Sequence, residues 1–540
     1  MTEYVPHLVL RRLAAEAPEH VLVEFLDDRA YTAGELYERA KAVAFGLQRA
    51  GHAPGDRVAL VIGNRIDFLA WWLGTAIAGL VSVPLNTAMR GSVLHHMLRL
   101  SGPVLVVAER EFLPDIAVVA ADLEHAPQVL EVSQAPAGST AGAVTTGAVT
   151  AGAVTTGALT TGAFLAGAGE PAPQEALPST FASIMFTSGT TGPSKGVMWS
   201  HRMAMGKAES AMAVMGHTSS DVLFTCLPLF HANGLCTSFL PALIVRARLV
   251  VAPRFSASGF WPAIRKSGAT VTNMLGSMGA LLWKREPGDE ERDHRLRKAL
   301  VIPPPVGHIE EFEGRFGFES TQLYGSTDVG VPLGIPDGQR RPEACGRPLP
   351  GWECRLVDAW DAPVEDGRPG ELVVRPRQPF ATQLGYYGMP EATVEAWRNL
   401  WFHTGDLMRR DEDGWFYFLD RAKDSMRRSG ENISSYEVEQ VVVSHPSVRD
   451  AAAYGIPSEL GEDEVMVSVV LREDAPAVAP EDVLAWCRGR LPYFAVPRYL
   501  QFLDELPRTQ TAKVRKSDLR AAGLTAATYD AGPTSRSRVG

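Results

Sequence analysis

An apolar run, Phe181-Ala-Ser-Ile-Met-Phe186, leads directly into the segment 187–196, Thr-Ser-Gly-Thr-Thr-Gly-Pro-Ser-Lys-Gly, and this junction restricts the fold more tightly than any other stretch. The run reads as a buried strand. A glycine-rich loop at the end of such a strand is where ligands sit in open α/β sheets. Gly189, Gly192 and Gly196 let backbone N–H groups turn inward without a Cβ clash, while Thr187, Ser188, Thr190, Thr191 and Lys195 add donors for anionic oxygens. The loop therefore reads as a clamp for a polyphosphate. It is not a Walker A loop, because Lys195 is followed by Gly196 and no Gly-Lys-Ser/Thr triplet occurs.

A chain of 540 residues exceeds the size of a single core, so two or more folding units are expected. The formal net charge of -10 and a pI near 5.8 supply no basic field for a nucleic-acid backbone and exclude that partner class. The five cysteines, Cys226, Cys236, Cys345, Cys354 and Cys487, form no Cys-x-x-Cys pair. Neither a disulfide framework nor a zinc site is expected, and a reducing, cytoplasmic setting fits. The first residues carry Glu3, His7, Arg11 and Arg12 and do not read as a signal peptide. Residues 68–86 contain no charge, but Gly74, Gly79 and Pro84 divide them into a buried helix, a turn and a short strand, so no membrane span is expected.

Apolar runs at 57–62, 104–108 and 248–252 alternate with longer helical patterns, the rhythm of an α/β fold with buried sheets. Residues 132–169 hold no charge, and Gly142, Gly147, Gly152, Gly157, Gly162 and Gly167 recur at a fixed spacing. That tract reads as a flexible surface insertion, with a short stacked repeat as the alternative. A strand-like 415–419 run ends in the charged link 419–424, the expected domain boundary. The resulting division is a large core domain at 1–420, a small mobile α+β domain at 421–523 with a capped helix at 435–443, and a disordered tail at 524–540.

Further along lie Tyr324-Gly-Ser-Thr-Asp-Val329, Trp401-Phe-His-Thr-Gly-Asp406, Asp420-Arg421 and Lys513. Together they describe a nucleotide site. Asp406 can accept hydrogen bonds from ribose hydroxyls, Thr327 and Asp328 can meet phosphate and Mg²⁺, and Arg421 can reach phosphate or ribose. The uncharged segment 273–282, with Met274 and Met278, favours an apolar or aromatic acid over a dicarboxylate.

This ordered set, with Pro228-Leu-Phe-His-Ala-Asn-Gly234 and Pro507 to Lys513, resembles the adenylate-forming superfamily of acyl-CoA synthetases, firefly-type luciferases and peptide-synthetase adenylation domains. Ser429-Gly-Glu-Asn-Ile-Ser434 is most similar to fatty acyl and crotonobetaine/carnitine CoA ligases. The resemblance implies a large domain of stacked mixed sheets with helices and a small mobile domain. It also implies an enzyme that joins an acid to AMP from ATP, releases pyrophosphate, and passes the acyl group to CoA. A carrier-protein thiol or an amine is the alternative acceptor, including ATP-dependent activation of nitrite for diazotisation of an aryl amine.

By the same resemblance, Thr187, Ser188, Gly189, Thr190, Thr191, Gly192, Lys195, Tyr324, Gly325, Thr327, Asp406, Arg421 and Lys513 surround ATP, and Asp328 with Thr187 serves Mg²⁺. Lys513, Lys195, Thr327 and His231 take the catalytic roles. His231, Asn233, Asn273, Gly276, Ser277, Ser326 and Gly430 face the acid or the pantetheine arm. Lys423 matches the hinge, and a homo-oligomer is left open. Three departures surround the substrate: Asp328 replaces the usual glutamate, shorter by roughly 1.5 Å of reach; Pro303, Pro304 and Pro305 stiffen one wall; and Ala512 precedes Lys513 in place of glycine.

Overall fold

The protein is described here by a computed structural model covering residues 4–132, 159–165, 169–187, 194–302, 304, 309–421, 425–458, 461–472, 478–507, 514 and 516–532. The chain divides into two compact units. The first comprises Met1–Thr87, Leu100–Phe186 and Gly196–Asp420, and the second Ala88–Arg99, Thr187–Lys195 and Arg421–Gly540.

Two seven-stranded sheets organise the first unit. One runs in the order Leu159–Thr160, Gln128–Val132, Leu105–Glu109, Arg57–Val61, Val81–Pro84, Phe181–Thr187 and Lys195–Ser200. Its pairs from Leu159–Thr160 to Phe181–Thr187 are parallel, Ser82 lying opposite Ser183. The other runs Glu319–Thr321, Lys298–Ile302, Val271–Leu275, Val222–Thr225, Arg248–Val251, Val21–Phe25 and Ala30–Thr32, parallel except at the last pair. Strands buried on both faces read as continuous apolar runs, and Val58, Ala59, Leu60, Leu105, Val106 and Val107 are all fully buried. Between them the uncharged stretch after Phe68 folds as the helix Ile66–Ile77 and the buried strand Val81–Pro84. Among the described residues no helix is long and apolar enough to cross a membrane.

Smaller antiparallel sheets follow, Leu323–Ser326 with Gly330–Gly334 and Arg347–Pro348, then Trp352–Val357, Gly370–Pro376, Phe402–Arg410 and Phe416–Arg421. The second unit holds a sheet of Val448–Pro457, Asp463–Leu471, Tyr499–Phe502 and Tyr529–Asp530. Its core gathers Met426, Ile433, Val438, Val442, Val467 and Leu484. A mixed α/β architecture with a large and a small part is thus what the sequence implied.

Two expectations are corrected. The tract 132–169 is not wholly a loose insertion: Leu159–Thr160 extends a sheet, and Phe164 is buried against Trp71 at 5.7 Å between ring centroids. Phe164 and Leu165 supply the large side chains that the rest of the tract lacks. The tail is ordered through 532, because Tyr529–Asp530 pairs with Tyr499–Leu500 and Arg498 grips Asp530 at 2.9 and 3.1 Å. A charged pair and an aromatic residue anchor a segment that its composition marks as loose.

Candidate active site

The segment 324–328 begins on the strand Leu323–Ser326 and leaves it in a tight turn before Gly330–Gly334. The Tyr324 hydroxyl donates to Asp406 Oδ2 at 2.5 Å, joining residues far apart in the chain. Asp406 is buried on the strand Phe402–Arg410. Its backbone N–H donates to Thr404 Oγ1 at 3.1 Å, Thr404 in turn donates to the Leu372 carbonyl at 2.7 Å, and Gly405 N–H reaches Glu371 Oε1 at 3.0 Å. This net fixes a buried carboxylate beside a phenol.

Asp328 accepts a 2.7 Å hydrogen bond from the Tyr386 hydroxyl. Burial, the Asp328 charge and the bond to it push the Tyr386 phenol far above its ordinary value, so it remains a proton donor. Tyr386 pairs with Val197 in an isolated bridge, and Tyr387 N–H donates to the Gly196 carbonyl, so Asp328 is tied to the strand after Lys195. Trp199 Nε1 donates to the Thr327 carbonyl at 2.9 Å. Lys207 Nζ donates to the Ser326 carbonyl at 2.6 Å and lies 4.8 Å from the centre of the Trp199 ring. This lysine is buried on the helix His201–Met215, whose first turn is capped by Ser200 Oγ accepting from Met203 N–H. Burial lowers its pKa to about 8.

A second group of residues surrounds the helix that follows His231. His231 immediately precedes the short helix Ala232–Gly234, which runs into a π-helical turn at Leu235–Phe239 and then Leu240–Val245. Such wide turns often occur at functional sites. Thr237 Oγ1 donates to Asn233 at 2.6 Å, and Asn273 Nδ2 donates to Asn233 Oδ1 at 2.7 Å and to Thr237 Oγ1 at 2.8 Å. Asn273 is buried, and its own Oδ1 has no hydrogen-bond partner among the described residues. Gly234 is required by close approach, since a Cβ there would stand 2.3 Å from the Pro228 carbonyl oxygen. His231 and Phe230 have ring centroids 4.8 Å apart. Gly276 and Ser277 open the helix Gly276–Trp283 directly after the strand carrying Asn273, with Ser277 buried.

In the second unit, Thr187 ends one strand and Lys195 begins the next. Ser194 donates its N–H at 3.0 Å, and its hydroxyl, to Glu437 Oε1, and burial raises the pKa of that carboxyl. Gly430 forms a two-residue turn with Ser429 between Ser425–Arg428 and Glu431–Ser434; both have positive φ, 79° and 54°, the hairpin geometry that favours glycine. Lys516 is held by Glu439 at 2.6 Å and Ser435 at 2.7 Å. Arg421 ends the strand Phe416–Arg421. Ser188, Gly189, Thr190, Thr191, Gly192, Lys423, Pro303, Pro305, Ala512 and Lys513 lie outside the described residues.

The structure thus brings together Tyr324 with Asp406, Ser326 with Lys207, Thr327 with Trp199, Asp328 with Tyr386, and Asn233 with Asn273. Sequence reasoning missed Tyr386, Trp199 and Lys207. A signal for Lys207 exists: it shares a helical face with Met203, Ser210, Ala211 and Val214, all buried, so it is a charge on an apolar stripe.

Residues 10–387 match the AMP-binding enzyme family, and residues 437–513 match the AMP-binding enzyme C-terminal domain. The chain belongs to the AMP-binding enzyme family. A crotonobetaine/carnitine–CoA ligase of Salmonella arizonae is 30% identical over 474 residues, covering 87% of this chain and 89% of the ligase. Among solved structures, the amide bond synthetase McbA of Marinactinospora thermotolerans is similar at 26% identity and a TM-score of 0.79, covering 95% of this chain and 99% of that one. The o-succinylbenzoate CoA synthetase MenE of Bacillus subtilis shares the fold, with a TM-score of 0.81 at 24% identity, covering 97% and 99%. For an AMP-binding enzyme, the pairing of Tyr324 with Asp406 and the tie from Tyr386 to Asp328 lie on the segments expected to hold the nucleotide.

Proposed function

We propose that this AMP-binding enzyme is an ATP-dependent, AMP-forming acid–CoA ligase. The observation that carries the reading is the joined pair Tyr324–Asp406, a phenol and a buried carboxylate brought together from two motifs 82 residues apart. Similarity to a crotonobetaine/carnitine–CoA ligase over 87% of the chain supports CoA as the acceptor.

In this reading the segment 187–192 and Lys195 hold the β- and γ-phosphates, Asp406 and Arg421 hold the ribose, and Tyr324, Gly325 and Thr327 border the adenine and α-phosphate. The acid's carboxylate attacks the α-phosphorus, its oxygen forming the new P–O bond as the bond to pyrophosphate breaks. Lys513 offsets the charge of two anions brought together, a contribution of several kcal/mol for one well-placed donor. CoA thiolate then attacks the acyl carbonyl, and AMP departs. Gly430, with no side chain, leaves room for the pantetheine arm, while His231, Asn233, Asn273, Gly276, Ser277 and Ser326 line the acid side.

Among the described residues no cluster of three or more His, Cys, Asp or Glu could cage a metal. Asp328 is a single carboxylate polarised by Tyr386, a donor set that fits Mg²⁺ held by one carboxylate, phosphate oxygens and water. Asp328 and Thr187 would hold the ion, which when bound neutralises phosphate charge.

Pyrophosphate release from ATP across a panel of acids, with and without CoA, tests the proposal. Release that depends on acid and is abolished by Lys513→Ala, with CoA discharging the adenylate, is expected. An adenylate that CoA fails to discharge for every acid would overturn it. A second reading, transfer to an amine, is favoured by the likeness to an amide bond synthetase. Discharge of the adenylate by amines in place of CoA would establish it.

A further inference from the structure

Lys207 is a cation that the protein buries over the Trp199 ring, 4.8 Å from its centre, with no carboxylate in salt-bridge contact among the described residues. It is 3% exposed, it forms no salt bridge among the described residues, and the one hydrogen bond it makes to them goes to a backbone carbonyl, that of Ser326. An ammonium has three donors, and the described residues take one of them by hydrogen bond. The charges acting on it are those of Cys236 and Asp328. Burial raises the Cys236 thiol to about 12, so it is neutral at physiological pH and offers no counter-charge. Asp328 is already bonded to Tyr386 and, in the reading above, serves the metal. A buried charge without a partner is costly, and proteins retain one chiefly where a ligand supplies the partner.

The neighbours of Lys207 are residues of the acid side. Ser326 carries the carbonyl it holds, and Cys236 lies in the π-helical turn whose Thr237 bonds Asn233 and Asn273. Asn273 adds a buried oxygen, Oδ1, that has no hydrogen-bond partner among the described residues. The segment 273–282 by itself reads as an apolar wall, but Lys207 comes from a helix outside it.

We propose that Lys207 is a specificity-determining residue that binds a second anionic oxygen group on the acid, so that the enzyme selects acids bearing a carboxylate besides the one it activates. This rests on the adenylating function proposed above. A second group is required by the charge balance of that reaction. The reacting carboxylate becomes a neutral acyl ester of AMP phosphate, its negative charge lost as the C–O–P link forms, and Lys207 would then be stranded. A second carboxylate keeps its charge through both half-reactions. A lysine bonded to the attacking oxygen would also weaken it as a nucleophile.

The test uses the full-length protein, with adipate against hexanoate and phthalate against benzoate as matched pairs, and a trimethylammonium-bearing hexanoate as a cationic control. In wild type, kcat/KM in pyrophosphate release favours the dicarboxylate of at least one pair by about tenfold or more, and the cationic acid is rejected. Lys207→Met collapses that ratio by about tenfold, chiefly through KM for the acid, and Lys207→Arg restores most of it. Calorimetric binding of the same acids in the presence of AMP gives a readout independent of turnover. Lys207-dependent binding of a dicarboxylate without pyrophosphate release would refute the ligase reading and keep this assignment. Pyrophosphate release with no dicarboxylate preference, or equal losses for all acids in Lys207→Met, would overturn the assignment alone. Should Lys207→Met fail to fold, as judged by thermal unfolding, the wild-type preference within the matched pairs decides.

Discussion

Tyr386→Phe removes the hydroxyl that bonds Asp328. The hydroxyl is buried with the rest of the side chain, at 4% exposure, and lies 2.7 Å from a carboxylate. A hydrogen bond to a charged group contributes about 1.5–3 kcal/mol, and with a buried donor and a half-buried acceptor about 2 kcal/mol is a fair value. If Asp328 must hold its orientation in the transition state, that converts to about 30-fold in kcat/KM for ATP. The half-saturating Mg²⁺ concentration rises as well, because the carboxylate is no longer fixed. Phenylalanine keeps the ring and its packing, so the thermal midpoint moves little. The phenol is raised well above its usual range by burial and by Asp328, so its ionisation does not shape the activity profile near neutral pH. The assay is initial-rate pyrophosphate release at varied ATP and Mg²⁺. A Phe variant within twofold of wild type in kcat/KM for ATP, with the same Mg²⁺ dependence, would refute the reasoning. A large fall in melting temperature that accounts for the lost activity would refute it too.

Asp406→Asn keeps the shape but removes the charge that Tyr324 faces, and the KM for ATP is expected to rise by about tenfold or more in the same assay. Gly234→Ala forces a methyl group to 2.3 Å from the Pro228 oxygen, and calorimetric unfolding should show a loss of about 2–3 kcal/mol. Asp221 offers a pH test. Burial raises its pKa, but hydrogen bonds from Arg297, Thr270 and Thr218 prevail and hold it at about 2, below the ordinary range of an aspartate carboxyl. A depressed folded-state pKa stabilises the protein at pH above the unfolded value and ceases to do so as pH falls through the folded one. About 2 kcal/mol is therefore lost between pH 4 and 2, and denaturant titrations of Asp221→Asn should show a correspondingly flatter stability profile over that window.

The parallel strands at 57–61, 105–109, 181–187 and 248–251 were legible because burial on both faces leaves uninterrupted apolar runs that no helix pattern imitates. Asp328 and Asp406 stood out because each sits in a short motif of turn-forming and acidic residues. Tyr386 did not, since its partner is 58 residues away and a tyrosine beside glycines reads as an ordinary turn. Lys207 was hidden by its helix: a lysine two residues before Glu209 looks solvated until the position of Met203 and Val214 shows which side faces inward. Phe164 and Tyr529 were obscured by surroundings rich in small residues, where composition outweighs the one large side chain that anchors the segment.

The wide turn at Leu235–Phe239 contains one residue more than an ordinary helical turn would need. Each helical residue advances the side-chain direction by about 100°, so deleting one residue here would rotate His231 and Asn233 about the helix axis relative to Leu240–Val245. The later helix keeps its seating in the core, where Leu240, Ala242 and Leu243 are buried. Single-residue insertion or loss at this place would thus re-aim His231 and Asn233 in one discrete step, without rebuilding the sheets that support them.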